Sequence, residues 1–254
     1  MLILASASPR RRELLTQAGF TFQVYPAHIP EDPKPNEDPI AYVVRLAREK
    51  AQAVFHQLTQ DPTRSAEGSV LYQGTTSVVP QNQLKEAGAL APEGVLSEIS
   101  AQPELANPQM QGAPGLDSET WDTANLDRRS LVVLGADTTV TLDNHILGKP
   151  ENPAGAARML RLLSGRTHRV ITGVAVVTAQ ATEVAAEVTA VSFLTLSDEE
   201  IAAYIATGEP MDKAGAYAIQ GRAARWIPRI EGDYFNIVGL PLALVSTLLE
   251  STSF

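Results

Sequence analysis

The stretch Leu131-Val-Val-Leu-Gly-Ala-Asp-Thr-Thr139 carries the reading of the fold. Four consecutive apolar residues predict a strand buried on both faces, because a half-solvated strand would alternate. Gly135 follows and lets another backbone come close. Asp137 is then expected just past the strand's end. A carboxylate there is a recurring place for a general base or a metal ligand. The competing reading is an aspartate that caps a local turn, with Thr138 merely continuing into a strand.

Working outward toward the C-terminus, Thr138–Leu142 and His145–Leu147 bracket Asp143-Asn144, a predicted hairpin turn. Asn152 and Pro153 are a helix cap and first helical residue, and that helix stops before Gly165. Val170–Thr178 and Val184–Leu196 predict two long strands. Ser197-Asp-Glu-Glu200 is a capping box for a helix ending near Gly208. Ala223–Ile230 reads as extended, and Leu240–Glu250 as a closing helix. Toward the N-terminus, Leu2–Ala5 predicts a short strand, Ser8 a cap, and Arg10–Ala18 a helix stopped by Gly19. Phe20–Tyr25 reads as extended, Pro26–Pro39 as a proline-rich loop and Ile40–Phe55 as a second helix. Strand–helix alternation together with adjacent hairpins predicts an α/β fold on a mixed sheet.

Thr59–Ser130 differs in kind. Rich in Gln, Ser, Ala, Gly and Pro, it carries ten acids against four bases, most of the chain's net charge of −9. Too few clustered apolar residues are present to offset ordering entropy. The expected organisation is therefore one domain built from 1–58 and 131–254, with 59–130 a disordered acidic insertion. A lid or docking loop anchored by Leu71, Tyr72 or Trp121 is the alternative.

Composition removes several function classes. With no cysteine there are no disulfides, thiolate nucleophiles or cysteine-ligated metals. The acidic balance disfavours nucleic acid polymers and anionic membrane surfaces as partners. Met1-Leu-Ile-Leu-Ala5 lacks the basic start of a signal peptide, and no apolar run approaches a membrane span. A cytoplasmic protein is expected. There is no phosphate-binding P-loop, no dinucleotide glycine fingerprint and no Gly-x-Ser-x-Gly elbow. His28, His56, His145 and His168 include no pair at helical ligand spacing. His168 is expected to be a hydrogen-bonded loop residue rather than a base.

Four segments could carry chemistry. In Ala5-Ser-Ala-Ser-Pro-Arg-Arg-Arg12 a strand feeds a serine-capped helix whose first turn holds three arginines. Cations at a helix N-terminus are locally unfavourable unless an anion binds there, so Ser8, Arg10 and Arg11 make a candidate phosphate cradle. A solvated basic turn is the plainer reading. Lys50 falls inside the apolar stripe Val43, Leu46, Ala47, Val54, so it either snorkels past the core or enters a cleft at its edge. Asp137 is the third candidate, and Lys149 of Gly148-Lys-Pro150 could return a cation to the same mouth. Gln220, in the loop Asp212–Gly221, offers donors and acceptors suited to a base edge or to neighbouring backbone.

Taken in order, Ser6-Ala-Ser-Pro-Arg-Arg11, Arg48-Glu-Lys-Ala51, Gly135-Ala-Asp-Thr138, Gly148-Lys-Pro150, Ser164-Gly-Arg-Thr-His168, Asp212-Lys-Ala-Gly-Ala-Tyr217, Ile219-Gln-Gly221 and Val238-Gly-Leu-Pro-Leu242 resemble the Maf family of nucleoside triphosphate pyrophosphatases. The resemblance covers both ends of the chain and misses Thr59–Ser130. It implies a twisted mixed sheet with flanking helices, two lobes around a central cleft, a relation to the inosine triphosphatase group and a homodimer. It also implies hydrolysis of a nucleoside triphosphate to monophosphate and pyrophosphate with a divalent cation, Mg²⁺ or Mn²⁺. The proton acceptor would be Asp137, with Asp137 and Glu31 as candidate metal ligands. Ser8, Arg11, Glu31, Lys50 and Lys149 align with polar residues of the family's cleft. Arg10, Thr138 and Gln220 match the branch acting on dTTP, UTP and modified pyrimidine nucleotides. The alternatives are a branch acting on 7-methyl-GTP or inosine triphosphate, and a nucleotide-sensing protein linked to septum formation.

Overall fold

A computed structural model describes residues 1–60, 70–72 and 130–252. Its strands are β1 (Leu2–Leu4), β2 (Phe22–Val24), β3 (Val70–Tyr72), β4 (Val132–Leu142), β5 (His145–Leu147), β6 (Thr167–Val177), β7 (Thr182–Ser192) and β8 (Arg229–Glu231). Its helices are α1 (Pro9–Gln17), α2 (Pro39–Gln60), α3 (Pro153–Leu163), α4 (Asp198–Ile205), α5 (Tyr234–Val238) and α6 (Leu242–Ser251). One mixed sheet joins all the strands in the order β3-β2-β1-β4-β6-β7-β8, with β5 also on β4. β1 runs parallel to β2 and β4; the other pairings are antiparallel.

The local signals explain most of these elements. Ser8 caps α1 by accepting from the Arg11 amide. Asn152 caps α3, and Ser197 with Glu200 forms the full capping box of α4. Asp143 and Asn144 both take positive φ, 50° and 64°, the turn that matches strand twist in a two-residue hairpin. Of the residues expected to form the insertion, only Thr59, Gln60, Val70–Tyr72 and Ser130 fall within the described residues. Leu71 and Tyr72 belong to an edge strand on β2; Trp121 lies outside the described residues.

β4 organises the molecule. One of its edges pairs with β6 continuously from Val133 to Thr141. The other edge meets β1 over Val132–Leu134 and β5 over Val140–Leu142. Between these two partners the edge is left open at Gly135–Thr139. Thus Asp137 is not past the end of a strand, as expected, but in the middle of one. Thr138–Leu142 is β-branched enough to continue the ladder with β6, so no turn intervenes.

Side chains on β4 alternate between two faces. On one face α2 packs Ala47, Ala51 and Val54 against Val133 and Ala175, and Tyr42, Val43 and Leu46 against Ile171. It comes so close that a Cβ on Gly135 would stand 2.2 Å from the Ala47 carbonyl oxygen, and one on Gly173 2.4 Å from that of Val43. On the other face lie two separate apolar clusters. One joins Leu134, Ala136 and Val174 to Leu14, Leu15, Val245 and Leu249 of α1 and α6. The second joins Val140 and Val170 to Leu160, Leu163, Ile201 and Tyr204 of α3 and α4. The division falls at Thr138 and Thr172, a cross-strand pair of threonines whose hydroxyls bond at 2.9 Å. Two lobes therefore part where the sheet turns polar and the β4 edge opens.

Three further expectations are corrected. His168 is a strand residue of β6, not a loop residue. Ala223–Ile230 is mostly a 3₁₀ turn, Arg222–Trp226, with β8 only at its end. The short helix α5 was not expected; its signals are Asp233, which accepts from the Phe235 amide, and Gly239 after its last residue.

Candidate active site

The open edge of β4 is the floor of a cleft of about 580 Å³, within the size range of small-molecule sites. Because Asp137 and Thr138 are consecutive, they point to opposite faces, yet both border the cleft along the edge of β4 that β1 and β5 leave unpaired. Ser8, Arg10, Arg11, Glu31, Lys50, Lys149 and Gln220 also line it. Every candidate read from the sequence therefore meets in one hollow.

Lys50 answers the choice left open for it. Rather than snorkelling, it is buried and its Nζ lies 2.7 Å from Asp137 Oδ1 and 2.6 Å from Glu31 Oε1. The helix places it there because α2 packs directly over Gly135 and Gly173. Burial alone would raise the Glu31 pKa, but the Lys50 hydrogen bond and charge, with Lys149 and Arg11, outweigh it and hold the carboxyl below its ordinary range.

Glu31 comes from the proline-rich loop, and α2 straps that loop down. Tyr42 Oη donates to the Glu31 carbonyl at 2.9 Å. Arg45 grips both carboxylate oxygens of Glu37 at 2.6 and 2.7 Å and also the Asp32 carbonyl. Sequence reasoning missed this strap. Its only signal is the i, i+3 spacing of Tyr42 and Arg45 on a face next to Lys50.

Arg11 is a second buried cation of the site. Its Nε donates to the Gly239 carbonyl at 2.9 Å, Nη1 to Ser6 Oγ at 3.1 Å and Nη2 to Thr138 Oγ1 at 3.0 Å. It thus ties α1, β4 and the loop before α6 together at the seam between lobes. Burial pushes its pKa down, Asp137 opposes that, and Arg10 adds to it. Arg10 is half-buried, while Lys149 is exposed at the mouth. Gln220 is exposed on the rim.

Beneath Thr138 lies a polar network that the sequence did not announce. Thr172 Oγ1 donates to the Asn236 carbonyl at 3.1 Å, and Asn236 Nδ2 donates to the Val170 carbonyl and to Thr189 Oγ1. Lys213 and Asp212 also line the cleft, paired with each other. His168 is buried behind it, bonded through Nε2 to the hydroxyl of Tyr217 at 2.8 Å. Burial lowers the His168 pKa to about 4, so near neutrality it is an uncharged structural partner of Tyr217.

An acidic group held by a lysine at the open edge of a mixed sheet, with Arg10, Arg11, Lys149 and Lys213 also lining the cleft, suits a polyanionic small molecule. The family model described as Maf-like protein matches residues 1–252, and the chain belongs to that family. Relatives include a dTTP/UTP pyrophosphatase of Koribacter versatilis, 41% identical over 249 residues that span 98% of this chain and 93% of that protein. A second, from Moorella thermoacetica, is 40% identical over 250 residues, 98% and 93% of the two chains. A third, from Thermococcus onnurineus, is 38% identical over 250 residues, 98% and 97% of the two.

Proposed function

We propose that this protein hydrolyses dTTP and UTP to the monophosphate and pyrophosphate. The observation that carries the reading is Lys50 bridging Asp137 and Glu31 on the cleft floor, in a chain whose relatives bear that activity in their names. Water adds to the α-phosphorus, the bond from that phosphorus to the oxygen bridging to the β-phosphate breaks, and pyrophosphate leaves. Asp137 accepts the proton of the attacking water. Lys50, 2.7 Å from its Oδ1, orients Asp137 for that step. The α1 amides behind Ser8, with Arg10, Arg11 and Lys149, spread positive charge along the triphosphate. Arg10, Thr138 and Gln220 set the preference for a pyrimidine nucleotide.

A divalent cation, Mg²⁺ or Mn²⁺, fits this donor set. Mg²⁺ is usually held by one or two carboxylates plus substrate phosphates rather than by a protein cage. Asp137 and Glu31 each bring a carboxylate to the cleft, both in contact with Lys50 Nζ, and no cluster of three or more acidic or histidine ligands occurs among the described residues. When bound there, it would neutralise charge on the phosphate oxygens. A homodimer in the cytoplasm belongs to the same reading. No helix among the described residues is long and apolar enough to cross a membrane.

Purified protein with Mg²⁺ and each canonical or modified triphosphate, resolved by product, tests the activity. Monophosphate and pyrophosphate from dTTP and UTP, ahead of 7-methyl-GTP and inosine triphosphate, are the expected result. Diphosphate with inorganic phosphate would refute the reaction. Binding without turnover would favour a nucleotide sensor.

A further inference from the structure

The rim segment that carries Gln220 has no regular secondary structure around it, only 3₁₀ turns on either side. It is nevertheless held from behind by one continuous chain of hydrogen bonds. The Ala218 amide donates to Tyr204 Oη at 3.2 Å. Tyr204 Oη donates in turn to Glu209 Oε1 at 2.8 Å. The same carboxylate accepts from the Arg222 amide, at 3.1 Å to Oε1 and 3.3 Å to Oε2. Two amides that flank Gln220, one on each side, are thus referred to a single carboxylate.

Both anchors are well placed to be rigid. Tyr204 is buried on α4, packed edge-on against Trp226 with ring centroids 5.1 Å apart. Burial, with the Glu209 carboxylate beside it, raises its pKa and keeps the phenol protonated as a donor. Glu209 occupies the space where Gly221 would carry a side chain: a Cβ there would stand 1.8 Å from Glu209 Oε1. A side chain at 221 would displace the Glu209 carboxylate, so the glycine after Gln220 leaves room for it; its own φ, −106°, asks for no glycine.

We propose that Tyr204 and Glu209 are positioning residues for base selection, a latch that fixes the Ala218–Arg222 segment and so aims Gln220 into the cleft. This rests on the reading of Gln220 as a base contact. Neither anchor is among the residues lining the cleft, so the latch acts only through the segment it holds. Phosphate chemistry belongs to Asp137, Lys50 and α1, on other elements, and does not depend on it.

Selectivity is the readout, because simple loss of stability would lower every substrate alike. Tyr204→Phe keeps the ring packing and removes only the bridging hydroxyl; Glu209→Gln keeps the shape and weakens the acceptor. For the wild type and each variant, kcat and KM are measured with dTTP, UTP, CTP and GTP, beside Gln220→Ala. The latch predicts that the dTTP-to-GTP ratio of kcat/KM falls about tenfold in Tyr204→Phe and Glu209→Gln, through KM, with kcat for dTTP within about twofold. Adding Gln220→Ala to either should bring no further loss of discrimination. If both variants keep wild-type ratios while Gln220→Ala loses them, the latch is overturned and the base contact stands. If Gln220→Ala itself keeps full discrimination, the base contact fails and the latch with it. Should either variant prove too unstable to assay, the other decides alone. Hydrogen exchange at Ala218–Arg222 gives a third reading: unchanged protection in both variants overturns the proposal.

Discussion

Lys50 shows how much one side chain can settle. Its spacing within an apolar helical stripe allowed either a snorkelling surface lysine or a cleft residue, and only the packing of α2 on β4 decides for the cleft. Asp137 depends on it. Asp137→Asn should lower kcat/KM for dTTP by about 10²–10⁴-fold, the ordinary worth of a general base, while the protein stays folded by circular dichroism. Full activity in that variant would remove Asp137 from the chemistry. His168 offers a separate test that does not involve catalysis. Its folded pKa, about 4, lies below the ordinary 6.5, so the unfolded chain binds more protons between those values. The stabilisation is fully present above pH 6.5 and is lost as pH falls toward 4, to a total of about 3 kcal/mol. Urea unfolding across that window should show a slope that flattens in His168→Gln; an identical slope would mean His168 is not the titrating group.

At the scale of elements, α2 packs tightly against β4 and β6. Gly135→Ala would drive a methyl group into the Ala47 carbonyl, and the backbone of α2 would have to move. A loss of about 1–3 kcal/mol or more in urea unfolding is expected, together with reduced turnover, because Lys50 rides on the displaced helix. Unchanged stability would contradict the packing described. Elements with strong local chemistry could be read in advance: the caps at Ser8, Asn152 and Ser197, and the Asp143-Asn144 turn. Misreadings arose where tertiary pairing overrides local pattern. Gly135 and Asp137 suggested a strand break, yet the unbroken ladder to β6 carries both. Likewise nothing in the sequence singled out Arg45, Tyr204 or Glu209. Their partners lie in loops whose course no periodicity reveals.

Across the whole molecule, the chain carries a net charge of −9, while Arg10, Arg11, Lys50, Lys149 and Lys213 line the cleft. Such a field draws small anions inward and repels long polyanions. Since Lys149 is exposed and Arg10 half-buried, salt should screen part of that attraction. Raising NaCl from ~50 to ~500 mM should increase the KM for dTTP several-fold with kcat little changed; a salt-independent KM would remove the exposed cations from binding. The meeting of distant segments in one cleft could be anticipated from the ordered motifs. What could not be read is why they meet: β1 and β5 share one edge of β4 and leave Gly135–Thr139 uncovered between them. The claim that water attacks the α-phosphorus has a direct test, turnover of dTTP in H₂¹⁸O with the products separated by mass spectrometry. The account predicts one labelled oxygen in the monophosphate and none in pyrophosphate. Label in pyrophosphate would place the attack at the β-phosphorus and contradict it.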